Sequence, residues 1–212
     1  FLFVACAEDC CEIPEPFVLV FQRPEEQAEP GRDPDPFLPL DVKRAADALI
    51  PSGAHFKHPM FIALGEGRKL IAPILRRSSG RGQEVVLEEW ATQKDERPPL
   101  PAGVALPSVL TKDGDPHLDG TPIDAVFFLD SYHLMFHGPT LLAKLHERLV
   151  PGGRVFIMDR QSPEPLLRRE ASHRRRIEPE VVKREMEAAG FAFRAELARP
   201  SADRFLLGFE KR

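Results

Sequence analysis

The clearest pattern of hydrophobic and polar positions lies in the second half of the chain. Residues 123–129 form a nearly continuous apolar run, which is typical of a strand buried on both faces of a parallel sheet. Apolar positions in 139–149 recur at helical spacing, and 154–158 is a second buried run that Asp159 closes. The pattern predicts strand, helix and strand in succession, with a glycine turn at 151–153 before the second strand.

The C-terminal part repeats this alternation and then changes period. Residues 178–189 carry an apolar stripe at helical spacing, and Gly190 is expected to end that helix. Residues 191–197 and 204–209 alternate with period two on either side of a Pro-Ser-Ala-Asp sequence. This spacing predicts a hairpin of antiparallel strands.

The first half is less regular. Asp41 is expected to cap a helix that runs through about Ile50. Residues 70–77 have a helical pattern in which Pro73 predicts a kink or a late start. Shorter apolar runs predict further strands at 60–64, 84–87 and 104–110.

The order of these elements predicts the fold class. Strands that alternate with helices imply a parallel sheet with helices on both faces. We therefore expect an α/β fold with a doubly wound, Rossmann-like, mostly parallel sheet of seven strands and a C-terminal antiparallel hairpin. The domain is assigned to residues 41–212.

Composition separates this domain from what precedes it. The chain has 212 residues, of which 42% are hydrophobic, enough for one sizeable core. Residues 12–40 are rich in proline and acids and show little periodicity, so we interpret them as a linker. The net charge of −4 gives no reason to expect nucleic acid as a partner.

The first eleven residues are apolar and hold all three cysteines, Cys6, Cys10 and Cys11. The domain itself therefore contains no disulfide framework and no cysteine metal site. The apolar residues before Cys6 are similar to the end of an export signal and to a bacterial lipobox, in which the cysteine is lipidated. We interpret residues 1–11 as the remnant of such a signal, with a lipid on Cys6 as the only membrane contact and the bacterial envelope as location. The alternative is an apolar N-terminus on a cytoplasmic chain.

Four blocks of sequence carry a resemblance to one known family. They are residues 113–133, the Pro-Gly-Gly turn and strand at 149–159, the segment 173–191 and the residues 203–205. In this order they resemble class I S-adenosylmethionine-dependent methyltransferases, and most closely the bacterial, often exported, predicted methyltransferases of unassigned substrate. The resemblance implies methyl transfer from S-adenosylmethionine to a small-molecule or otherwise unknown acceptor.

The resemblance also implies a cofactor site at the carboxyl ends of the strands. Gly65 and Gly67 keep two glycines of the turn after the first strand, where the backbone approaches the cofactor. Glu88 ends the second strand and is expected to accept hydrogen bonds from the ribose hydroxyls, while Asp115 is expected to contact adenine. Tyr132 is a further candidate for cofactor contact.

Two positions depart from the family's glycine turn. The acid that normally helps to hold the methionine part of the cofactor is Ala63 here, and the third glycine is Lys69, whose side chain is expected to crowd the turn. These departures favour a second hypothesis. In it, the chain is a methyltransferase-fold pseudoenzyme that has lost cofactor binding and serves as a binding or interaction module.

The segment after 123–129 carries the candidate catalytic groups. Asp130 or His133 is expected to act as a general base on an acceptor O–H or N–H, since histidine titrates near neutral pH. Methyl transfer also works by alignment of donor and acceptor, so a base is not strictly required, and His133 is equally explained as a hydrogen-bonding residue at a helix start. Asp159 is expected to bond the loop around Arg160. The histidines form no compact ligand motif, so no metal site is expected.

Overall fold

The computed structural model describes residues 39–50, 55–77, 82–87, 108–111, 122–135 and 138–212. Within them, seven strands form a single sheet. The strands are β1 (Pro59–Ala63), β2 (Gln83–Leu87), β3 (Ser108–Thr111), β4 (Ile123–Leu129), β5 (Leu149–Arg160), β6 (Phe191–Glu196) and β7 (Arg204–Lys211). The helices are α1 (Pro39–Leu49), α2 (Ile71–Arg77), α3 (Gly138–Arg148), α4 (Ala171–Arg174) and α5 (Pro179–Ala188).

The strand order is β3-β2-β1-β4-β5-β7-β6. Strands β1 to β5 pair in parallel, whereas β7 runs antiparallel to both β5 and β6. The predicted α/β, Rossmann-like and mostly parallel architecture is confirmed. The order reverses between β1 and β4, so the carboxyl ends of these two strands flank the switch point at which such folds bind ligands.

Strands β1 and β4 and the second half of β5 are buried on both faces, as their apolar runs predicted. One face packs against α1 and α2, the other against α3 and α5. The first core cluster includes Ala45, Leu49, Phe61, Ile71, Ile74, Phe127 and Leu206. The second includes Ile62, Val126, Phe128, Leu141, Leu145, Val182, Met186 and Leu207.

Aromatic side chains join the three central strands on the α1 and α2 face. Phe61 lies opposite Phe127, and Phe127 opposite Phe156, in the registers of β1, β4 and β5. The rings stack with centroids 5.4 Å and 5.1 Å apart. Phe56 meets two of them edge-on. This ladder fixes the register of the strands whose ends form the switch point.

The Pro-Gly-Gly segment lies within β5 and not before it, so the predicted start of the strand at 154 is wrong, whereas the positive φ expected of a glycine there is confirmed at Gly152. Strand β5 begins at Leu149, which pairs with Ile123 before the register shifts to Ala125 opposite Arg154. The extra residues form a bulge in β5, in which Gly152 has a φ of +73°. A bulge depends on the neighbouring strand, which the local sequence does not reveal.

The late start predicted for the helix at 70–77 is confirmed. A 3₁₀ turn occupies Gly65–Leu70, and α2 begins at Ile71. Pro73 therefore lies in the first turn of α2, where its missing N–H breaks no helical hydrogen bond. Among the residues described, no helix combines the length and the apolar character needed to cross a bilayer.

Candidate functional site

The glycine turn after β1 lies against the carboxyl end of β4. The Leu64 N–H donates to the Leu129 carbonyl at 3.1 Å, which ties the two strand ends together. A Cβ at Gly67 would come within 2.2 Å of the same carbonyl oxygen, so this position requires glycine. Gly65 has a φ of +46°, and a Cβ there would meet no atom within 4 Å. The backbone at Gly65 is therefore open to a bound group.

Lys69 does not fill the interior of this turn. Its side chain is 49% exposed and pairs with Glu66, so it extends to the surface. Arg68 is buried instead and pairs with the buried Glu84 of β2 at 3.1 Å. Ala63 is buried and supplies no carboxylate at the end of β1.

Two of the predicted cofactor residues, Glu88 and Asp115, lie outside the described residues. The ribose and adenine contacts expected of them stay predictions.

Asp130 follows β4 and is held by Arg204 at the start of β7, two strands away in the sheet. Its φ of +52° is one that Asp tolerates better than most residues. The Arg204 Nε and Nη2 atoms donate to the two carboxylate oxygens at 3.0–3.2 Å. Burial raises the pKa of Asp130, and the Arg204 guanidinium offsets only part of that rise. With both oxygens engaged by Arg204, Asp130 is a weaker candidate for the general base than His133.

His133 is fixed by the buried carboxylate of Asp159 at the end of β5. Its Nδ1 lies 2.8 Å from Asp159 Oδ1, and its backbone N–H donates to Oδ2 at 2.9 Å. The Arg160 N–H also donates to Asp159, as the sequence predicted. Both side chains are almost completely buried.

This pairing determines which imidazole nitrogen is available. Burial alone would raise the pKa of Asp159, but the charge and hydrogen bonds of His133, with the Arg160 N–H, lower it overall. An ionised carboxylate only accepts hydrogen bonds, so the His133 Nδ1 must donate. The His133 Nε2 is buried and has no hydrogen-bond partner within the described part of the chain. It is therefore free to accept a proton from a bound molecule.

Tyr132 lies in the core. It is 0% exposed, and its ring meets Phe128 edge-on with centroids 5.3 Å apart. Burial, and then the nearby charge of Glu185, raise the pKa of Tyr132 well above its ordinary value. The structure thus places the Tyr132 side chain against Glu185 of α5, which indicates a structural role for a residue predicted to contact the cofactor.

The sequence did not reveal three of the groups that organise this region: Asp159 as the partner of His133, Arg204 and Arg168. One signal was present for Asp159. A carboxylate that directly follows a buried apolar strand must find donors nearby, because an unpaired buried charge is costly. Nothing in the spacing of the chain identifies Arg204, which lies 74 residues from Asp130. Within the described ranges, no three His, Cys, Asp or Glu side chains come together as a metal site.

Comparisons of sequence give no match: no protein-family model and no curated protein matches the chain.

Comparisons of structure give methyltransferases. The glycopeptide N-methyltransferase MtfA complexed with S-adenosylmethionine has a TM-score of 0.58 at 16% identity, covering 86% of this chain and 100% of that one. An S-adenosylmethionine-dependent methyltransferase from Mesorhizobium loti has a TM-score of 0.55 at 12% identity, covering 81% and 98%. An O-methyltransferase family protein from Burkholderia thailandensis has a TM-score of 0.57 at 17% identity, covering 80% and 55%.

Some of these proteins are much longer than the present chain, which spans 55% of the pyocyanin biosynthetic protein PhzM. At identities of 12–17%, the similarity is one of fold. The chain has the α/β, Rossmann-like fold of S-adenosylmethionine-dependent methyltransferases.

The contact between Gly67 and Leu129 predicts unequal effects for two alanine substitutions in one turn. Gly67→Ala drives a Cβ into the Leu129 carbonyl and should lower the free energy of unfolding by about 2–3 kcal/mol. Gly65→Ala meets only the cost of a positive φ, about 1 kcal/mol. Urea denaturation of both variants measures the difference. Equal losses would contradict the close approach of this turn to β4.

The lowered pKa of Asp159 predicts a pH-dependent role in stability. Because its pKa in the folded state lies below the ordinary 3.8, the ionised carboxylate stabilises the fold above that pH, and the contribution disappears as the pH falls through the lower value. Asp159→Asn should therefore lower the free energy of unfolding by about 3 kcal/mol from neutral pH down to about pH 4. The difference in free energy of unfolding between this variant and the wild type should become smaller at lower pH.

A surface carboxylate provides the control for this measurement. Asp47 pairs with Arg77 but is 52% exposed, so Asp47→Asn should cost well under about 1 kcal/mol. The loss of unfolding free energy in Asp159→Asn should exceed that in Asp47→Asn and shrink at low pH. A loss that stays constant down to pH 2, or that is no larger than the loss in Asp47→Asn, would refute the assigned ionisation of Asp159.

Proposed function

We propose that this chain is an S-adenosylmethionine-dependent methyltransferase in which His133 is the general base. The observation that carries the proposal is the buried Nε2 of His133, which has no hydrogen-bond partner among the described residues and which Asp159 holds beside the carboxyl ends of β4 and β5. The methyltransferase fold and the glycine turn at the β1–β4 switch point support it.

The described residues fit the cofactor at the turn after β1. The backbone at Gly65 faces open space. The close approach of Gly67 to the Leu129 carbonyl holds the turn against the carboxyl end of β4. Glu88 and Asp115 would hold the ribose and the adenine. When bound, the cofactor would supply an electrophilic methyl group on sulfur.

His133 is proposed to take the proton of the acceptor, and Asp159 to stabilise the charge that results. A bound acceptor donates its O–H or N–H to the His133 Nε2, which satisfies a buried nitrogen that otherwise has no partner. The proton moves to Nε2 as the acceptor atom gains its methyl group. Asp159 stabilises the resulting imidazolium through its hydrogen bond to Nδ1, in a buried site where this charge pairing is strong. The acceptor is therefore a group that must lose a proton on methylation.

The pseudoenzyme hypothesis rests on the missing acid at Ala63, which leaves the methionine part of the cofactor without its usual carboxylate partner. On this second proposal, the same fold would bind a partner without catalysing methyl transfer. The envelope location proposed through a lipid on Cys6 concerns residues outside the described ranges.

Calorimetry with S-adenosylhomocysteine separates the two hypotheses. The wild type is expected to bind with a dissociation constant below about 100 μM, a value common for small-molecule sites. Gly65→Ala fills the open space over the turn and should weaken binding about tenfold or more while leaving the protein folded. Absence of heat at millimolar ligand would sink the methyltransferase proposal and favour the pseudoenzyme.

The role of His133 has its own expected result. His133→Ala should bind S-adenosylhomocysteine within about threefold of the wild type, because the imidazole does not belong to the glycine turn. Its turnover with any acceptor that the wild type methylates should fall by about 10²–10⁴-fold. His58→Ala, at an exposed histidine before β1, is the control and should retain turnover.

A further inference from the structure

The short turn that carries His133 is held by an arginine from the segment between β5 and α5. The guanidinium of Arg168 donates to three backbone carbonyls of this turn. The Nη1 atom lies 3.4 Å from the His133 carbonyl oxygen, and Nη2 lies 3.3 Å from that of Met135 and 3.5 Å from that of Tyr132. The Arg168 side chain is only 9% exposed.

Two of these three carbonyls, those of His133 and Met135, receive no hydrogen bond from the turn itself. The 3₁₀ turn covers only Tyr132–Leu134. Its backbone hydrogen bonds run from Leu134 N–H to the Ser131 carbonyl and from Met135 N–H to the Tyr132 carbonyl. The carbonyls of His133 and Met135 accept no bond within the turn, and a planar arginine fork matches several such acceptors at once.

Glu185 offsets the free-energy cost of burying the Arg168 guanidinium. The Arg168 Nε donates to the Glu185 Oε1 at 2.8 Å, and the Glu185 side chain is 0% exposed. Burial raises the pKa of Glu185, and the Arg168 charge counteracts that rise. The charge of the same carboxylate, after burial, raises the pKa of Tyr132. A chain of buried contacts therefore runs from α5 through Glu185 and Arg168 to the turn.

His133 is thus clamped through both of its peptide groups. Its N–H donates to the Asp159 carboxylate at 2.9 Å, and its carbonyl accepts from Arg168. Either peptide group can rotate only if a buried ionic contact breaks. Without Arg168, the peptide group on the carbonyl side of His133 would be held, among the residues that the structure describes, only by the Leu134 N–H, which donates to the Ser131 carbonyl.

We propose that Arg168 is a positioning residue for His133: it holds the backbone of the turn so that the imidazole keeps its bond to Asp159 and presents Nε2 to the acceptor. This inference rests on the proposed role of His133 as the base. It also gives a function to segment 161–178, which separates β5 from α5 and brings Arg168 to the site.

The test compares two neighbouring arginines. Arg168→Gln removes the buried fork, while Arg169→Gln makes the same change of charge at an exposed side chain next to it. The readout is the His133 Nδ1 proton resonance in the NMR spectrum and its exchange rate with solvent. In Arg168→Gln the resonance should exchange about tenfold faster or broaden beyond detection, since local opening of the turn becomes easier. Arg169→Gln should match the wild type.

A conservative variant keeps the test decisive if Arg168→Gln does not fold. Arg168→Lys retains the charge but offers a compact ammonium in place of the fork, so it should show an intermediate exchange rate. An Nδ1 resonance that exchanges at the wild-type rate in a folded Arg168→Gln protein, or in Arg168→Lys if Gln is not tolerated, would overturn the proposal.

Cofactor binding distinguishes this result from failure of the proposed function. All folded Arg168 variants should bind S-adenosylhomocysteine within about threefold of the wild type, because Arg168 does not contact the glycine turn; a larger loss would assign Arg168 to cofactor binding instead. If the wild type itself does not bind S-adenosylhomocysteine, the methyltransferase proposal is wrong. The comparison of Arg168→Gln with Arg169→Gln still shows whether Arg168 holds the turn that carries His133.

Discussion

Two carboxylates are buried at adjacent strand ends, and the structure around the switch point is arranged to compensate their charges. Asp130 follows β4, Asp159 lies at the end of β5, and both are almost inaccessible to solvent. A buried carboxylate is tolerated only with charged or strongly polar donors around it. Asp130 takes a guanidinium from β7, and Asp159 takes an imidazole and two backbone N–H groups. Each solution fixes a different part of the site.

The pair of Asp130 and Arg204 has a structural role, whereas the pair of Asp159 and His133 is proposed to have a chemical one. Arg204 engages both oxygens of Asp130 and ties the end of β4 to the antiparallel strand β7, so this pair has a structural role. Among the described residues, the His133 Nε2 has no hydrogen-bond partner, and an unsatisfied buried nitrogen is costly unless a ligand completes it. Arg168 and Glu185 hold the turn that carries His133. The Tyr132 hydroxyl and the Glu185 Oε2 also lack a partner within the described ranges, but a phenol is a proton donor and Glu185 is ion-paired with Arg168, so the proposed base is the His133 Nε2.

Sequence patterns predicted the centre of the sheet well because β1, β4 and the second half of β5 are buried on both faces. The apolar run at Ile123–Leu129 and the stripe on Pro179–Ala188 signal their own structures without reference to the rest of the chain. The start of β5 at Leu149 was not predicted, because the bulge depends on the register of β5 with β4. The site was predictable only in part. His133 was identified from its place after a buried strand, but its partner lies 26 residues away, and the guanidinium that engages Asp130 lies 74 away. Contacts across strands depend on strand order, which periodicity does not provide.

The proposed role of His133 depends on one tautomer, in which Asp159 holds the proton on Nδ1 and the lone pair is on Nε2. Two-bond ¹H–¹⁵N correlation spectra of the free protein at a pH where the imidazole is neutral report this tautomer directly. We expect a protonated Nδ1, with a slowly exchanging proton shared with Asp159, and an unprotonated Nε2. A spectrum that shows the proton on Nε2, or a rapidly exchanging mixture of both tautomers, would contradict it.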